Sequence, residues 1–298
     1  MNGFVVINKN SGISSSDIVI KVRNSLSKAL NQKQKAGHLG TLDPEAEGVL
    51  TVALGSATKL FDYFLKKTKT YIADFVFGST TDTLDRAGKI TSEGGRIPDT
   101  DEIKNALLAL TGEIRQVPPA YSAVSVNGKR AYELARQGKE IDLKEKTVNV
   151  YEFTHLMALD KEKHRFKIVC GSGTYIRSLA RDLASKLGTV AYMSGLLRTQ
   201  DGNFTIENSV TLKEFLSEPL KYVIPVEDAF SNLTKVKLDD SYIYKLLNGV
   251  NLDINQIKSA LVDYTFNNDI FALLNGSDSI IGLGEINKEK LKLKYRLL

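Results

Sequence analysis

The chain is short of the residues that build stapled scaffolds. Its 298 residues include one cysteine, Cys170, and three histidines. A single thiol closes no internal disulfide, which excludes a disulfide scaffold and fits a reducing, cytoplasmic setting. The same scarcity leaves little material for a structural zinc site, and His155 and His164 have no ligand-spaced partner. No stretch approaches the ~20 apolar residues of a membrane span. The N-terminus is apolar only over Phe4-Val5-Val6-Ile7, too short for a signal peptide. Repeats and low-complexity tracts are absent. Gly171-Ser172-Gly173-Thr174 resembles a phosphate cradle but lacks the Lys-Ser/Thr that follows in an NTPase loop, and neither a dinucleotide fingerprint nor a Gly-x-Ser-x-Gly elbow occurs.

What is present is ordinary for a soluble globular protein. Hydrophobic residues make up 42% and charged residues 25%, which excludes disorder as the main state. The length supports a substantial core and predicts two domains, or one large domain with an appendage. The net charge of +5 is uneven: residues 1–70 hold 10 Lys/Arg against 5 Asp/Glu, and residues 161–200 hold 8 against 2. Two basic stretches suggest an anionic partner, most commonly a nucleic-acid backbone, although solvated faces would give the same count.

Phe4 to Ile7 reads as a short buried strand. Ser14 to Asp17 supply caps, and Ile18, Val22, Leu26 and Leu30 at four-residue spacing predict an amphipathic helix. Gly37 to Asp43 reads as a loop. Pro44, Glu45 and Glu47 read as the first turn of a short helix with Val49, Leu50, Val52 and Ala53 on its apolar face and Gly55 at its end. Tyr71 to Phe77 alternates as a strand, and residues 79–96 form a polar loop. Helices are expected over Asp101 to Leu110, Ala131 to Gln137 and Thr174 to Leu187, with strands over Val148 to Phe153 and Phe166 to Cys170. Without a regular βαβ rhythm, this predicts an α/β protein of α+β type, a mixed sheet flanked by helices. A boundary is expected near 225–236, separating residues 1–230 from a small domain over 231–298. At the chain end Lys288, Lys290, Lys292, Lys294 and Arg296 alternate with Leu291, Leu293, Tyr295 and Leu297, placing five cations on one face of a terminal strand. Lysines protect exposed edge strands in this way. Five like charges in a row also repel one another unless something anionic meets them, which favours an RNA contact.

The candidate for chemistry is the glycine-rich run Gly37-His38-Leu39-Gly40-Thr41-Leu42-Asp43-Pro44-Glu45-Ala46-Glu47-Gly48-Val49-Leu50. By spacing alone Asp43 reads as the cap of the following helix and His38 as a surface histidine, although loop glycines also let a backbone approach a ligand closely. Arg177, with Arg181 at i+4, reads as a basic stripe; Tyr71 reads as a half-buried strand tyrosine, and Tyr175 and Leu196 as core.

This run resembles the catalytic motif of the bacterial tRNA pseudouridine-55 synthases, the TruB family. Asn8-Lys9-Asn10-Ser11-Gly12 is similar to the family's opening lysine loop, with Asn10 where proline is usual. Lys69-Thr70-Tyr71 resembles its tyrosine motif. Pro118-Pro119-Ala120-Tyr121-Ser122-Ala123 and Tyr132-Glu133-Leu134-Ala135-Arg136 resemble its middle signatures. Gly173-Thr174-Tyr175-Ile176-Arg177 resembles its arginine motif, and Gly195-Leu196-Leu197-Arg198-Thr199 a leucine-arginine turn. The motifs keep family order from residue 4 to about 228, while the C-terminal region matches weakly.

The resemblance implies a pseudouridine synthase fold with a largely antiparallel central sheet and a small PUA-like β domain. It implies isomerisation of a T-loop uridine of tRNA by base flipping, glycosidic cleavage and reattachment through carbon 5, with no metal and no cofactor. Asp43 would be the essential carboxylate, oriented in two-pronged fashion by Arg177. Tyr71 would stack on the uracil and could relay the carbon-5 proton, with Tyr175 and Leu196 lining the pocket. His38 would contact the T loop, Lys9 would be structural or bind phosphate, and Lys288 to Arg296 would contact RNA. The expected partner is the T arm and elbow of tRNA, met by a monomer with no obligate protein partner. A guide-RNA-dependent relative fits less well, because the C-terminal domain is short. A non-catalytic tRNA-folding protein with Asp43 as a cap is the remaining alternative.

Overall fold

The computed structural model describes residues 1–126, 128–139, 141–257 and 270–297. Its body carries strands β1 (Gly3–Lys9), β2 (Ala36–His38), β3 (Glu47–Leu54), β4 (Lys69–Phe77), β5 (Gly112–Gln116), β6 (Lys146–Ala158), β7 (Lys163–Cys170), β8 (Ala191–Asp201) and β9 (Val210–Thr211). The helices that position the site are α1 (Ser15–Ala29), α2 (Phe61–Leu65), α3 (Thr100–Leu107), α4 (Ala131–Arg136) and α5 (Ile176–Lys186). The sheet runs β9-β1-β3-β8-β4-β7-β6-β5, with β2 added on β3. The β1–β9 and β3–β8 pairs are parallel and the other neighbours antiparallel, the mixed and largely antiparallel sheet expected.

The caps and stripes work as their chemistry dictates. Ser14 accepts the Asp17 amide at 3.1 Å, and Ile18, Val22 and Leu26 of α1 are buried. Asp99 and Glu102 form a capping box on α3. The apolar stripes of α1, α3 and α5 meet Val5, Val52, Tyr71, Ala73 and Phe75 on one face of the sheet. On the other face, Phe4, Val49, Phe64, Phe204 and Phe230 form a second core.

That second core also takes Leu274, Leu283 and Leu297 from a C-terminal sheet. Its strands are β10 (Lys235–Lys237), β11 (Leu252–Asp253), β12 (Phe271–Leu274), β13 (Ile280–Asn287) and β14 (Lys290–Arg296), ordered β10-β12-β13-β14-β11. No helix among the described residues is long and apolar enough to cross a membrane.

Several local expectations are corrected. The short helix after Pro44 does not form: residues 47–54 are β3, with Gly48 to Leu54 all buried. A continuous apolar run buried on both faces has no two-residue alternation to distinguish it from a helix. Gly37 and His38 lie in β2 rather than in a loop, paired with Ala53 and Val52. Gly195 to Thr199 belong to the long strand β8, not to a turn. The polar loop over 79–96 contains a small ribbon, Thr80–Thr81 against Ile90–Ser92. At the chain end, Lys288 and Glu289 have φ of +49° and +59° and form the hairpin turn, so Lys288 is off the strand and four of the five cations share its face.

Candidate active site

Asp43 follows β2 on a turn in which its carbonyl accepts the Ala46 amide at 3.0 Å. No helix follows, so the carboxylate caps nothing. Its Oδ2 instead lies 3.0 Å from Arg177 Nη2. Buried partners pin the turn from below. Ser15 Oγ donates to the Leu42 carbonyl at 2.7 Å and accepts the Leu42 amide at 2.9 Å. Lys9 Nζ donates to the carbonyls of Asn10, Pro44 and Ala46 at 3.1, 2.8 and 2.5 Å. Lys9 has no exposed surface, and burial lowers its pKa to about 8. The expectation of a substrate contact at Lys9 is therefore corrected: its ammonium is engaged with main-chain carbonyls and turned away from any phosphate.

Arg177 stands at the start of α5 and is 6% exposed. Nη1 donates to the Thr83 carbonyl at 3.1 Å and Nη2 to the Tyr121 carbonyl at 3.0 Å. Nη1 also lies 3.4 Å from Asp85 Oδ2. The two-pronged grip on Asp43 is thus replaced by a bridge, one terminal nitrogen to each carboxylate. Asp85 was missed because it sits in a polar loop with no motif around it. Its Oδ1 accepts Thr83 Oγ1 at 2.6 Å and the Ala87 amide at 3.0 Å. The neighbouring Arg86 donates to Glu45 at 2.9 Å and to Ser11 at 2.6 Å, fastening the Asp85 turn over the Asp43 turn.

The start of α5 is laced to the Pro118-Pro119 loop. Gln116 donates to the Tyr175 carbonyl at 3.2 Å and accepts the Tyr175 amide at 2.8 Å. Ser178 and Arg181 both donate to the Val117 carbonyl, at 2.9 and 2.8 Å. Arg181 is therefore structural.

Between these elements lies a cavity of about 470 Å³ that brings together Asp43, Tyr71, Tyr175, Arg177 and Leu196, with Tyr121, Tyr132, Lys69 and Arg198 beside them. Side-chain exposure falls from 40% at Asp43 to 0% at Arg198, so the carboxylate marks the mouth and the second arginine the floor. Burial pushes the Tyr71 and Tyr175 hydroxyls up from the ordinary phenol range. His38 is half-buried on β2 outside the lining, its pKa lowered by burial and by the Arg198 charge. Among the described residues no cluster of three or more His, Cys, Asp or Glu is arranged to hold a metal.

The C-terminal strand reaches the edge of this cavity. Lys294 and Tyr295 line a shallower groove with Asp62 and Lys66, and that groove shares Leu65 and Ser172 with the cavity. Lys294 is ion-paired with Glu285, and Arg296 donates to the Leu247 carbonyl at 3.1 Å. Lys290, Lys292, Lys294 and Arg296 are exposed.

The TruB family pseudouridylate synthase N-terminal domain matches residues 28–176, and the tRNA pseudouridylate synthase B C-terminal domain matches residues 177–243. The chain belongs to the TruB family. Among TruB relatives, the tRNA pseudouridine synthase B of Clostridium kluyveri is 38% identical over 97% of this chain and 96% of its own. That of Lactobacillus johnsonii is 39% identical over 86% and 88%. A crystal structure of a Cbf5-Nop10-Gar1 complex superposes with a TM-score of 0.70 at 28% identity, covering 99% of this chain and 85% of that one.

Proposed function

We propose that this TruB-family chain isomerises uridine-55 in the T loop of tRNA to pseudouridine, as a free-standing enzyme. The carrying observation is the 3.0 Å ion pair between Asp43 and the buried Arg177 at the mouth of a cavity lined by Tyr71. A fixed guanidinium orients the carboxylate it pairs with. The Asp43 carboxylate, ion-paired to Arg177, stands where the ribose of an everted uridine would lie. Tyr71 offers its ring face to the uracil, a stacking contact worth roughly 1–3 kcal/mol, and Leu196 lines the same cavity. Burial raises the Tyr71 pKa and keeps its hydroxyl protonated, so the phenolate that would act as a base is scarce and stacking is its main task.

Eversion costs a few kcal/mol of lost stacking, which phosphate contacts from basic surfaces supply. In this reading His38, half-buried on β2, and the exposed cations of β14 meet the RNA outside the pocket. The region over 231–298 serves as the RNA-binding appendage, and the body over 1–230 carries the chemistry. The isomerisation consumes no redox equivalent, and its residues act without a cofactor.

The test is nucleotide-resolution mapping of pseudouridine in a tRNA pool treated with purified protein, beside Asp43→Asn. Modification at the T-loop uridine by wild type, lost in the variant while tRNA binding stays within a few-fold, supports the reading. Activity that requires an added guide RNA overturns free-standing action. Loss of binding and folding in Asp43→Asn overturns the catalytic role.

A further inference from the structure

Beneath the proposed uracil pocket lie three buried ionisable side chains with no task in the scheme above. Lys69 is 6% exposed, and Arg198 and Asp201 are fully buried. They belong to facing strand pairs: Tyr71 opposes Arg198, and Lys69 opposes Asp201, across β4 and β8. Directly facing side chains on a sheet have Cβ atoms only ~5 Å apart. A bulge in β8 between Arg198 and Gln200 turns Arg198 and Asp201 to the same side although they are three residues apart. Lys69 Nζ lies 3.2 Å from Asp201 Oδ1, and Arg198 Nη2 lies 3.8 Å from Asp201 Oδ2. Arg198 Nε donates to the Val49 carbonyl at 2.7 Å and Nη2 to the Gly40 carbonyl at 2.9 Å. Its Nη1 is buried with no hydrogen-bond partner among the described residues.

Two cations thus share one carboxylate below the base. The mouth is the reverse, with Asp43 and Asp85 sharing Arg177. Main-chain carbonyls, those of Phe64 and Lys67 for Lys69 and of Val49 and Gly40 for Arg198, are all else that offsets the second buried cation, and a cluster kept for stability alone gains little from such a cation. The field of Arg198 reaches the surrounding groups: it opposes the effect of burial on Tyr71 and Cys170 and adds to it on His38 and Lys9.

We propose that the Lys69–Arg198 floor stabilises the negative charge that uracil acquires as it leaves the ribose, opposite the Asp43 carboxylate that faces the electron-poor C1′. This rests on the reading of the cavity as a uridine site. When the N1–C1′ bond breaks, its electron pair departs with the uracil and spreads over N1, O2 and O4. C5 then supplies the pair for the new C5–C1′ bond. The C5 proton is released as N1 takes one up, so atoms and charge balance. Charge separation across the pocket runs along its built-in gradient, and in a water-poor site fixed charges act more strongly than in solution. Arg198 lines the cavity floor and also holds the Gly40 turn through its carbonyl.

The experiment compares single-turnover consumption of the N-glycoside in T-arm RNA carrying uridine or 5-fluorouridine at the target. Wild type, Arg198→Gln, Lys69→Gln and Asp201→Asn are used, with thermal unfolding as the folding control. The 5-fluorouracil leaving group bears negative charge more readily and needs the floor less. Wild type is expected to consume the two substrates at similar rates. Arg198→Gln and Lys69→Gln are expected to lose about 100-fold on uridine and several-fold less on 5-fluorouridine. Asp201→Asn, which keeps both cations, is expected to consume the two substrates at similar rates, as wild type does. Equal losses on both substrates in folded variants, the mark of a merely structural role, overturn the proposal. So does a wild type that consumes 5-fluorouridine far faster than uridine, a result that needs no variant to fold. If wild type makes no pseudouridine from uridine RNA, the uridine reading itself falls.

Discussion

Arg177 divides one guanidinium among two carbonyls and two carboxylates, and this division decides what its neighbours contribute. A lysine could meet one carboxylate but not bridge both, so Arg177→Lys is expected to lower kcat about 100-fold while thermal stability changes little. Asp85→Asn leaves Arg177 free to swing and is expected to lower kcat about tenfold with KM nearly unchanged, in steady-state assays on T-arm RNA. Lys9 makes a pH-dependent contribution. Its folded pKa of about 8 lies below the ordinary 10.5, so between those values the unfolded chain binds the extra proton. Stability from this group therefore rises with pH across that window and is lowest below it. Urea midpoints between pH 8 and pH 10 should rise less in Lys9→Met than in wild type.

Strands β3 and β8 lie side by side, and the tightness of their approach sets what each tolerates. Gly48 has φ of +98°, and a Cβ there would overlap the Arg198 carbonyl. Gly48→Ala is expected to destabilise by about 3 kcal/mol, measured by denaturant unfolding. The β6–β7 hairpin carries its own acid sensitivity. His155 Nε2 and His164 Nδ1 are 3.0 Å apart, and burial lowers both pKa values below 6.5. The unfolded chain gains protons there first, so the hairpin loses stability as pH falls through that range. Protection factors over β6 and β7, with the intrinsic pH dependence of amide exchange divided out, should fall between pH 7 and pH 5.5, and less so in His164→Phe. The strand β4, where buried and half-buried residues largely alternate, and the helix α1, with one face buried and the other exposed, are legible in sequence. The strand β3 is buried on both faces and β8 is bulged, so the simple two-residue period that would reveal them is erased in both.

Across the molecule, the C-terminal sheet shares a core with Phe4, Phe64 and Phe230, and Tyr295 packs on Tyr63 with ring centres 5.9 Å apart. The groove at Lys294 therefore continues from the cavity itself. With Lys294 paired to Glu285, the freer cations of this strand are Lys290 and Lys292. Replacing both with glutamine is expected to weaken tRNA binding and to reduce the slope of log affinity against log salt by about 1.8. A slope unchanged over a salt titration would assign them to protection of a strand edge.

The residues of the chain determined the family, the elements whose faces differ in polarity, and the identity of Asp43, Tyr71, Tyr175, Arg177 and Leu196 as site candidates. Tertiary structure alone decided that Asp43 is an ion-paired group rather than a cap, that Lys9 is a buried strut, that Asp85 shares Arg177, and that Lys69 and Arg198 line the same cavity. The reason is physical: a side chain's chemistry is local, but its burial, its partner and the sign of the field around it come from strands that lie far apart in the sequence.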